Sequence, residues 1–529
     1  MKKIISLLAI LLALPTFFGC SEKVLEIKNP NALTVGDFWL TQQDVQEGVE
    51  ACYNLFHAAG SWNRYLHWRF DLLSDEGYSM SPMVDAGNWT KFIYNNYNHN
   101  ENQLYIYNVA YRTIFRANQV LTYAEDVEFD SQENKNKALG QAYFLRGYNY
   151  FHLAVLWEEV CIVNTIQNPG DKPEQATKEE VWAQVEADLK KAAELLPAEW
   201  PASEKGRITK GAALAQLARA YLQQHKYQEA KDALEWMVNG EGKKYYGLVE
   251  DPKWNFDVEH ENNIESVFEV QMSDMFSDSN MTPQGETKTG SMGHQRAYIF
   301  GLKGVGARDG LVRPWVLEEF KKEKTVDGKW DPRLRVTIFY ADLANDFPDK
   351  ETGYYYGYTW DQGYQNQGSW GTDIYFRKYS RDDWPTYSKK REDRTNPINI
   401  RVIRYADVLL MYAECLNELN NTAGAYQYVD MVRARANMAP LAEAYPEIGN
   451  DKNKFLARLQ MERELELCGE CVRWFDLKRW GLAETADGLA ALQQRDPDFL
   501  NYKQGVSYRQ PLPSSEVLNN PNMHQLSGY

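Results

Sequence analysis

The clearest pattern along the chain is a helical one. From Lys210 the residues Leu214, Leu217 and Tyr221 recur at helical spacing, flanked by Ala213 and Ala220. A polar break at Gln224–Lys226 follows, and Tyr227, Ala230, Ala233, Leu234 and Met237 make a second apolar stripe. Small residues at such offsets let two antiparallel helices approach closely, the pattern of a tetratricopeptide-type hairpin. A second pair is predicted over 405–438, where Leu409, Tyr412 and Ala413 face Ala425, Tyr428 and Val432. Segments 138–157 and 177–196 also read as helices. The latter opens on Thr177 and Glu180, a capping box, and stops at Pro197. The units are irregularly spaced. The fold expected is mostly α: degenerate tetratricopeptide-type hairpins forming a right-handed superhelical scaffold, with long loop and short-strand insertions.

Between about 241 and 400 this periodicity fades, and Gly, Asn, Asp and aromatic residues take over. The expected organisation is a signal peptide at 1–19, an N-terminal helical region at 20–240, a loop-rich aromatic insertion at 241–400 and a C-terminal helical region at 401–529. All four belong to one compact unit.

The N-terminus sets the compartment. Lys2 and Lys3 precede an apolar run from Ile4 to Phe18, the shape of a secretory signal rather than a membrane span. The run ends Phe17-Phe18-Gly19-Cys20, similar to the lipobox of bacterial lipoproteins, which implies lipidation of Cys20. A net charge of −16 supplies no basic stripe for a phosphate backbone, so nucleic acid is excluded as a partner.

Five further cysteines are an odd number, spread too widely for a disulfide framework. Cys468-Gly469-Glu470-Cys471 has redox spacing without βαβ surroundings. A zinc site there would need two more ligands, and the eight histidines show no paired spacing. No metal and no cofactor is therefore expected, although Asn/Asp-rich loops leave structural Ca²⁺ open through oxygen ligands. The adjacent carboxylates Asp75-Glu76 and Asp382-Asp383 point apart on a helix or strand, unlike the facing pair of a glycosidase.

Four C-terminal segments carry a family resemblance. IRVIRYADVLLMYAECLNE (400–418) has Arg404, Ala406, Asp407, Ala413 and Glu414 in place, and Val432–Ala436 supplies a Val-Arg-x-Arg-Ala core. MERELELCGECVRWFDLKRWG (461–481) carries Glu462, Arg463, Glu466, Leu467, Glu470, Arg473, Asp476, Leu477, Arg479, Trp480 and Gly481, with Cys471 where glycine is usual. YRQPLPSSEVLNNPNMHQLSGY closes the chain. Together with YRTIFRANQVL, ALGQAYFLRGYNYFHL and KGAALAQLARAYL, these residues resemble the SusD/RagB family of outer-membrane lipoproteins. The resemblance implies a non-catalytic, lipid-anchored protein on the outer membrane, facing the cell exterior. It would capture oligosaccharide and deliver it to a SusC-like TonB-dependent transporter. Peptide capture is the alternative within the family, and a helical glycoside hydrolase is a more distant one. The motif charges themselves read as capping and ion-pair networks that tie the C-terminal helices to the body.

A sugar site needs aromatic faces with a polar rim. Residues 351–387 hold 12 aromatics in 37 positions, against a chain average of 13%. Tyr354, Tyr356, Tyr358, Trp360 and Trp370 are the candidates there, interleaved with Asp361, Gln362, Gln365, Asn366 and Gln367. The alternation of Tyr354, Tyr356 and Tyr358 is compatible with one face of a strand. WRFDLLSDEG (68–77) adds Asp75 and the loop after it Asn88, Trp89 and Tyr94, and Met272, Met275, Phe276 and His294 are weaker contributors.

Overall fold

The computed structural model describes residues 38–94, 101–274, 292–365, 367–383 and 390–529. The apolar leader, Cys20, Met275, Phe276 and Asn366 lie outside the described residues.

Helices α1 (Gln42–Asn54), α2 (Tyr65–Leu73), α3 (Val84–Thr90), α4 (Glu101–Tyr123) and α5 (Gln132–Leu156) open the fold. Next come α6 (Lys178–Leu195), α7 (Lys210–Leu222) and α8 (Tyr227–Val238). Their limits follow local chemistry. The Thr177 and Glu180 side chains cap α6 reciprocally, and the Thr209 hydroxyl accepts the Ala212 N–H at the start of α7. Ala213, Ala215, Ala218 and Ala220 are fully buried, so α7 sits close to its neighbours. Between α5 and α6 a Cβ at Gly147 would lie 2.9 Å from that of Asp188. The same closeness lets Arg146 grip Asp188 with two hydrogen bonds of 2.9 and 2.7 Å.

The C-terminal region contributes α9 (Tyr405–Glu418), α10 (Thr422–Arg435), α11 (Lys452–Leu467) and α12 (Arg473–Arg479). Helices α4 to α8 stack in sequence, α8 packs on α9, and α9 packs on both α10 and α11. The two helical regions are thus one array of tetratricopeptide-type hairpins. Leu409 and Leu410 of α9 are fully buried, each contributing about 1.5–3 kcal/mol of apolar burial. Among the described residues no helix is long and apolar enough to cross a membrane.

Among the described residues eight short strands, all but β1 in the intervening chain, make four antiparallel pairs: β1 (Gly77–Ser79) with β3 (Gly310–Val312), β2 (Ser266–Val270) with β8 (Ile400–Arg404), β4 (Ile338–Phe339) with β7 (Tyr375–Phe376), and β5 (Tyr354–Tyr355) with β6 (Tyr358–Thr359). The β2–β8 pair closes the insertion where it leaves and rejoins the helices. The motif charges meet around that closure. Glu462 binds Arg333 at 2.7 Å and Arg433 at 2.9 Å, Glu466 binds Arg404 at 2.9 Å, and Arg463 spans Asp407 and Asp476 at 2.9 and 2.7 Å. All are buried. Burial works to raise the Glu462 and Asp407 carboxyls, but the arginines beside them hold both at about 2.

Candidate functional site

The aromatic segment forms a tight hairpin. Tyr356 and Gly357, with φ of 54° and 83°, make the two-residue turn between β5 and β6. Positive φ at both central positions matches the right-handed twist of the strands. Tyr355 lies opposite Tyr358, and Tyr354 opposite Thr359. Cross-strand partners share a face, so Tyr354 and Tyr358 point to opposite sides of the hairpin. The turn thereby removes the single strand on which Tyr354, Tyr356 and Tyr358 would align.

Burial separates the candidates further. Tyr354 is 59% exposed, whereas Trp370 is only 2% exposed. The Trp370 indole N–H donates to the Lys303 carbonyl at 3.0 Å, and that of Trp360 to the Gly371 carbonyl at 2.8 Å. Their rings meet edge-on at 5.4 Å. The buried Tyr356 hydroxyl donates to Glu392 at 2.6 Å, and burial with that carboxylate raises it well above the usual phenol range. These three rings fold the loop onto the body, which corrects the expectation that they stack on a ligand.

The N-terminal candidates divide in the same way. Trp89, 2% exposed, donates its indole N–H to Gln510 at 2.6 Å, and the Arg69 guanidinium stands 3.9 Å from its ring centroid. Tyr94 accepts from the same Gln510 at 2.8 Å. Asp75 is buried in a two-bond pair with Arg473; burial raises its carboxyl, but Arg473 and Arg495 prevail and hold it below the usual range. Trp89 and Asp75 offer no free face or rim, a second correction, whereas Tyr94, though 7% exposed, borders a cleft. Asn88 is half-buried on α3. Of the weaker contributors, Met272 and His294 are buried.

What remains accessible is a different aromatic edge. Half-buried Tyr358 and Tyr364 meet at 5.1 Å and 67°, with Lys390 5.3 Å from the Tyr358 ring and Asp361, Gln362, Gln365 and Gln367 exposed around them. Tyr364 rests on Gly304, where φ is +82° and a Cβ would come within 2.8 Å of the ring. The loop bearing Gly304 follows the helical turn Arg296–Ile299, whose Tyr298 is also half-buried, with Arg394 5.1 Å over its ring. The Glu392 N–H to Val305 carbonyl bond (3.0 Å) fastens the 390–396 segment to that loop. The Met80 N–H to Asp309 carbonyl bond (2.8 Å) brings in the segment leading to α3 and Asn88. Tyr298, Lys390 and Arg394 went unnoticed in sequence because Tyr298 sits in the apolar run Ala-Tyr-Ile-Phe, which reads as core.

Clefts occur elsewhere. One of about 530 Å³ is lined by Tyr94, Tyr502 and Tyr529, and another of about 410 Å³ by Trp200, Tyr245, Asn262 and Glu269. The adjacent acids are engaged in ion pairs: Asp382 with Arg377 at 2.9 Å, and Asp383 with Lys253.

Comparison with known proteins bears on both fold and site. Residues 264–529 match the model of the SusD family, and residues 23–222 match a family described as starch-binding and associating with the outer membrane. SusD-like protein P2 of Formosa agariphila is 26% identical over 526 residues, covering 96% of each chain. A SusD superfamily protein from Bacteroides vulgatus superposes with a TM-score of 0.77 at 27% identity, covering 93% of this chain and 100% of that one. A laminarin-binding SusD-like protein gives a TM-score of 0.71 at 24% identity, with 93% and 100% covered. With half of its length matched by one family model and its helical array shared with that family's solved structures, this chain belongs to the SusD family.

Proposed function

We propose that this chain is a surface glycan-binding lipoprotein of the outer membrane that captures oligosaccharides and passes them, uncleaved, to a SusC-like TonB-dependent transporter. The observation that carries the reading is the Tyr358–Tyr364 edge, two half-buried rings held at 5.1 Å and rimmed by exposed amides, Asp361 and Lys390. Sugar C–H faces pack against such rings, and the hydroxyl rim hydrogen-bonds to the amides and charges. Tyr354 on the other side of the hairpin and Asn88 are the remaining candidates from the expected set. Family membership and a laminarin-binding neighbour favour a glucan as the first ligand to try. Lipidation at Cys20 would supply the anchor, since several acyl chains on one residue hold a protein stably at a membrane. Capture without cleavage agrees with Asp75, Asp382 and Asp383 being tied to arginine or lysine instead of facing one another across a cleft.

Isothermal titration of the mature chain with laminarin oligosaccharides, maltooligosaccharides and peptide mixtures tests this. Binding of a glucan, weakened roughly tenfold by Tyr358→Ala, is the expected result. Peptide binding without sugar binding would overturn it, and sugar affinity unchanged in Tyr358→Ala and Tyr364→Ala would move the site to one of the clefts.

A further inference from the structure

The two cysteines of the Cys-x-x-Cys sequence part company in the fold. Cys471 turns toward His67, with Sγ 3.7 Å from Nδ1. Cys468, just past the end of α11, turns instead toward Glu464 and toward Glu76 from the segment after α2. One ligating atom from each of the three lies within 4.8 Å of the other two, and all three residues are buried. Among the described residues this is the one such grouping of His, Cys, Asp and Glu.

Its hydrogen bonding is incomplete. Neither side-chain oxygen of Glu464, which is 2% exposed, has a hydrogen-bond donor, and neither does Oε2 of Glu76. The Gly469 N–H reaches only Oε1 of Glu76, at 3.4 Å. The surrounding cations are held mainly by other acids. Arg473 makes two hydrogen bonds to Asp75 and only a longer ion pair of 3.3 Å to Glu464, Arg296 pairs with Asp71, and Lys378 pairs with Glu470 at 2.6 Å. Two carboxyl groups out of water with three bare oxygens between them are costly unless a cation or protons compensate.

We propose that Glu76, Glu464 and Cys468 form a structural divalent-cation site, with zinc as the ion. A thiolate among carboxylates selects zinc over calcium or magnesium, which prefer all-oxygen surroundings. Tetrahedral zinc, with bonds of about 2.0–2.3 Å, sets its ligands roughly 3.3–3.8 Å apart, so the three side chains need to draw in by only about 1 Å. Three protein ligands leave a fourth position for water. Binding displaces the thiol proton and any carboxyl proton into solvent, and the ion's two charges offset those of the carboxylates and thiolate. The site would join α11 to the segment after α2 in a chain whose five described cysteines are all free. This departs from the expectation that no metal is bound.

The test uses the full mature chain, refolded with zinc chloride, desalted and analysed for metal by inductively coupled plasma mass spectrometry. Near-stoichiometric zinc is expected, falling by roughly tenfold or more at fixed free zinc in both Glu464→Gln and Cys468→Ser. Cobalt loading should give a thiolate-to-cobalt charge-transfer band that Cys468→Ser abolishes. Folded wild-type chain that carries no zinc after refolding with the ion, or zinc retained by both variants, would overturn the proposal and leave the two acids sharing protons.

Discussion

Arg473 reaches across 398 positions of sequence to hold Asp75, with Nε to Oδ1 at 2.7 Å and Nη2 to Oδ2 at 3.0 Å. Both side chains are buried, and the pair fixes α12 against the segment that follows α2. Removing one partner strands the other charge in the interior. Asp75→Asn or Arg473→Met should therefore destabilise the fold by about 3–5 kcal/mol. Urea unfolding checks this, and glycan titration on the still-folded variants should show unchanged affinity.

The buried and half-exposed aromatics should separate cleanly in mutagenesis. Trp89→Ala and Trp370→Ala each remove a large packed ring and an indole hydrogen bond, and are expected to cost about 3–5 kcal/mol. Tyr358→Ala should lower sugar affinity with little change in melting temperature. Calorimetry of the three variants beside the titrations distinguishes packing from contact.

Gly304 offers a route to the same surface from below. Its φ of +82° disfavours any side chain, and a methyl group would press on the Tyr364 ring. Gly304→Ala should cost about 1–2 kcal/mol for the left-handed backbone and weaken glycan binding by displacing Tyr364. Unaltered affinity would show that Tyr364 does not touch the ligand.

Acid should unfold the protein through the motif network. Glu462 and Asp407 are held at about 2 in the folded state, whereas unfolded carboxyls titrate near about 4. Between those values the unfolded chain binds more protons, so the stability each pair contributes is complete above about pH 4–5 and is lost as pH falls toward about 2. For Glu462 the contribution is about 3 kcal/mol. Urea midpoints measured through that window should fall steeply, and the fall should be shallower in Glu462→Gln, which starts from a less stable fold.

The helical array was legible because its cues are local. The Thr177–Glu180 box, the alanines of α7 and the polar break before Tyr227 each act within a turn or two of chain. The motif charges were legible as architecture for the same reason. The site was only partly so. An indole looks alike in sequence whether its N–H meets water or a distant carbonyl, and the partners of Trp89 and Trp370 are Gln510 and the Lys303 carbonyl. Alternation of tyrosines suggested one strand, but the turn at Tyr356–Gly357 reverses the chain between them. The aromatic surplus lies in a loop whose tryptophans pack inward while Tyr358 and Tyr364 stay half-buried.

The C-terminal segment has a consequence for how the protein comes to be folded. Gln510 holds Trp89 and Tyr94, and the Pro511 carbonyl accepts from the Trp157 indole at 3.0 Å and from Gln103. A chain synthesised N-terminus first can stack α4 to α8 as they emerge, since those contacts are between neighbours. The bonds to residues 510 and 511 have to wait for the tail. Until it arrives, the indole N–H groups of Trp89 and Trp157 lack these partners, so completion of the chain is also the step that seals the N-terminal half against aggregation and proteolysis.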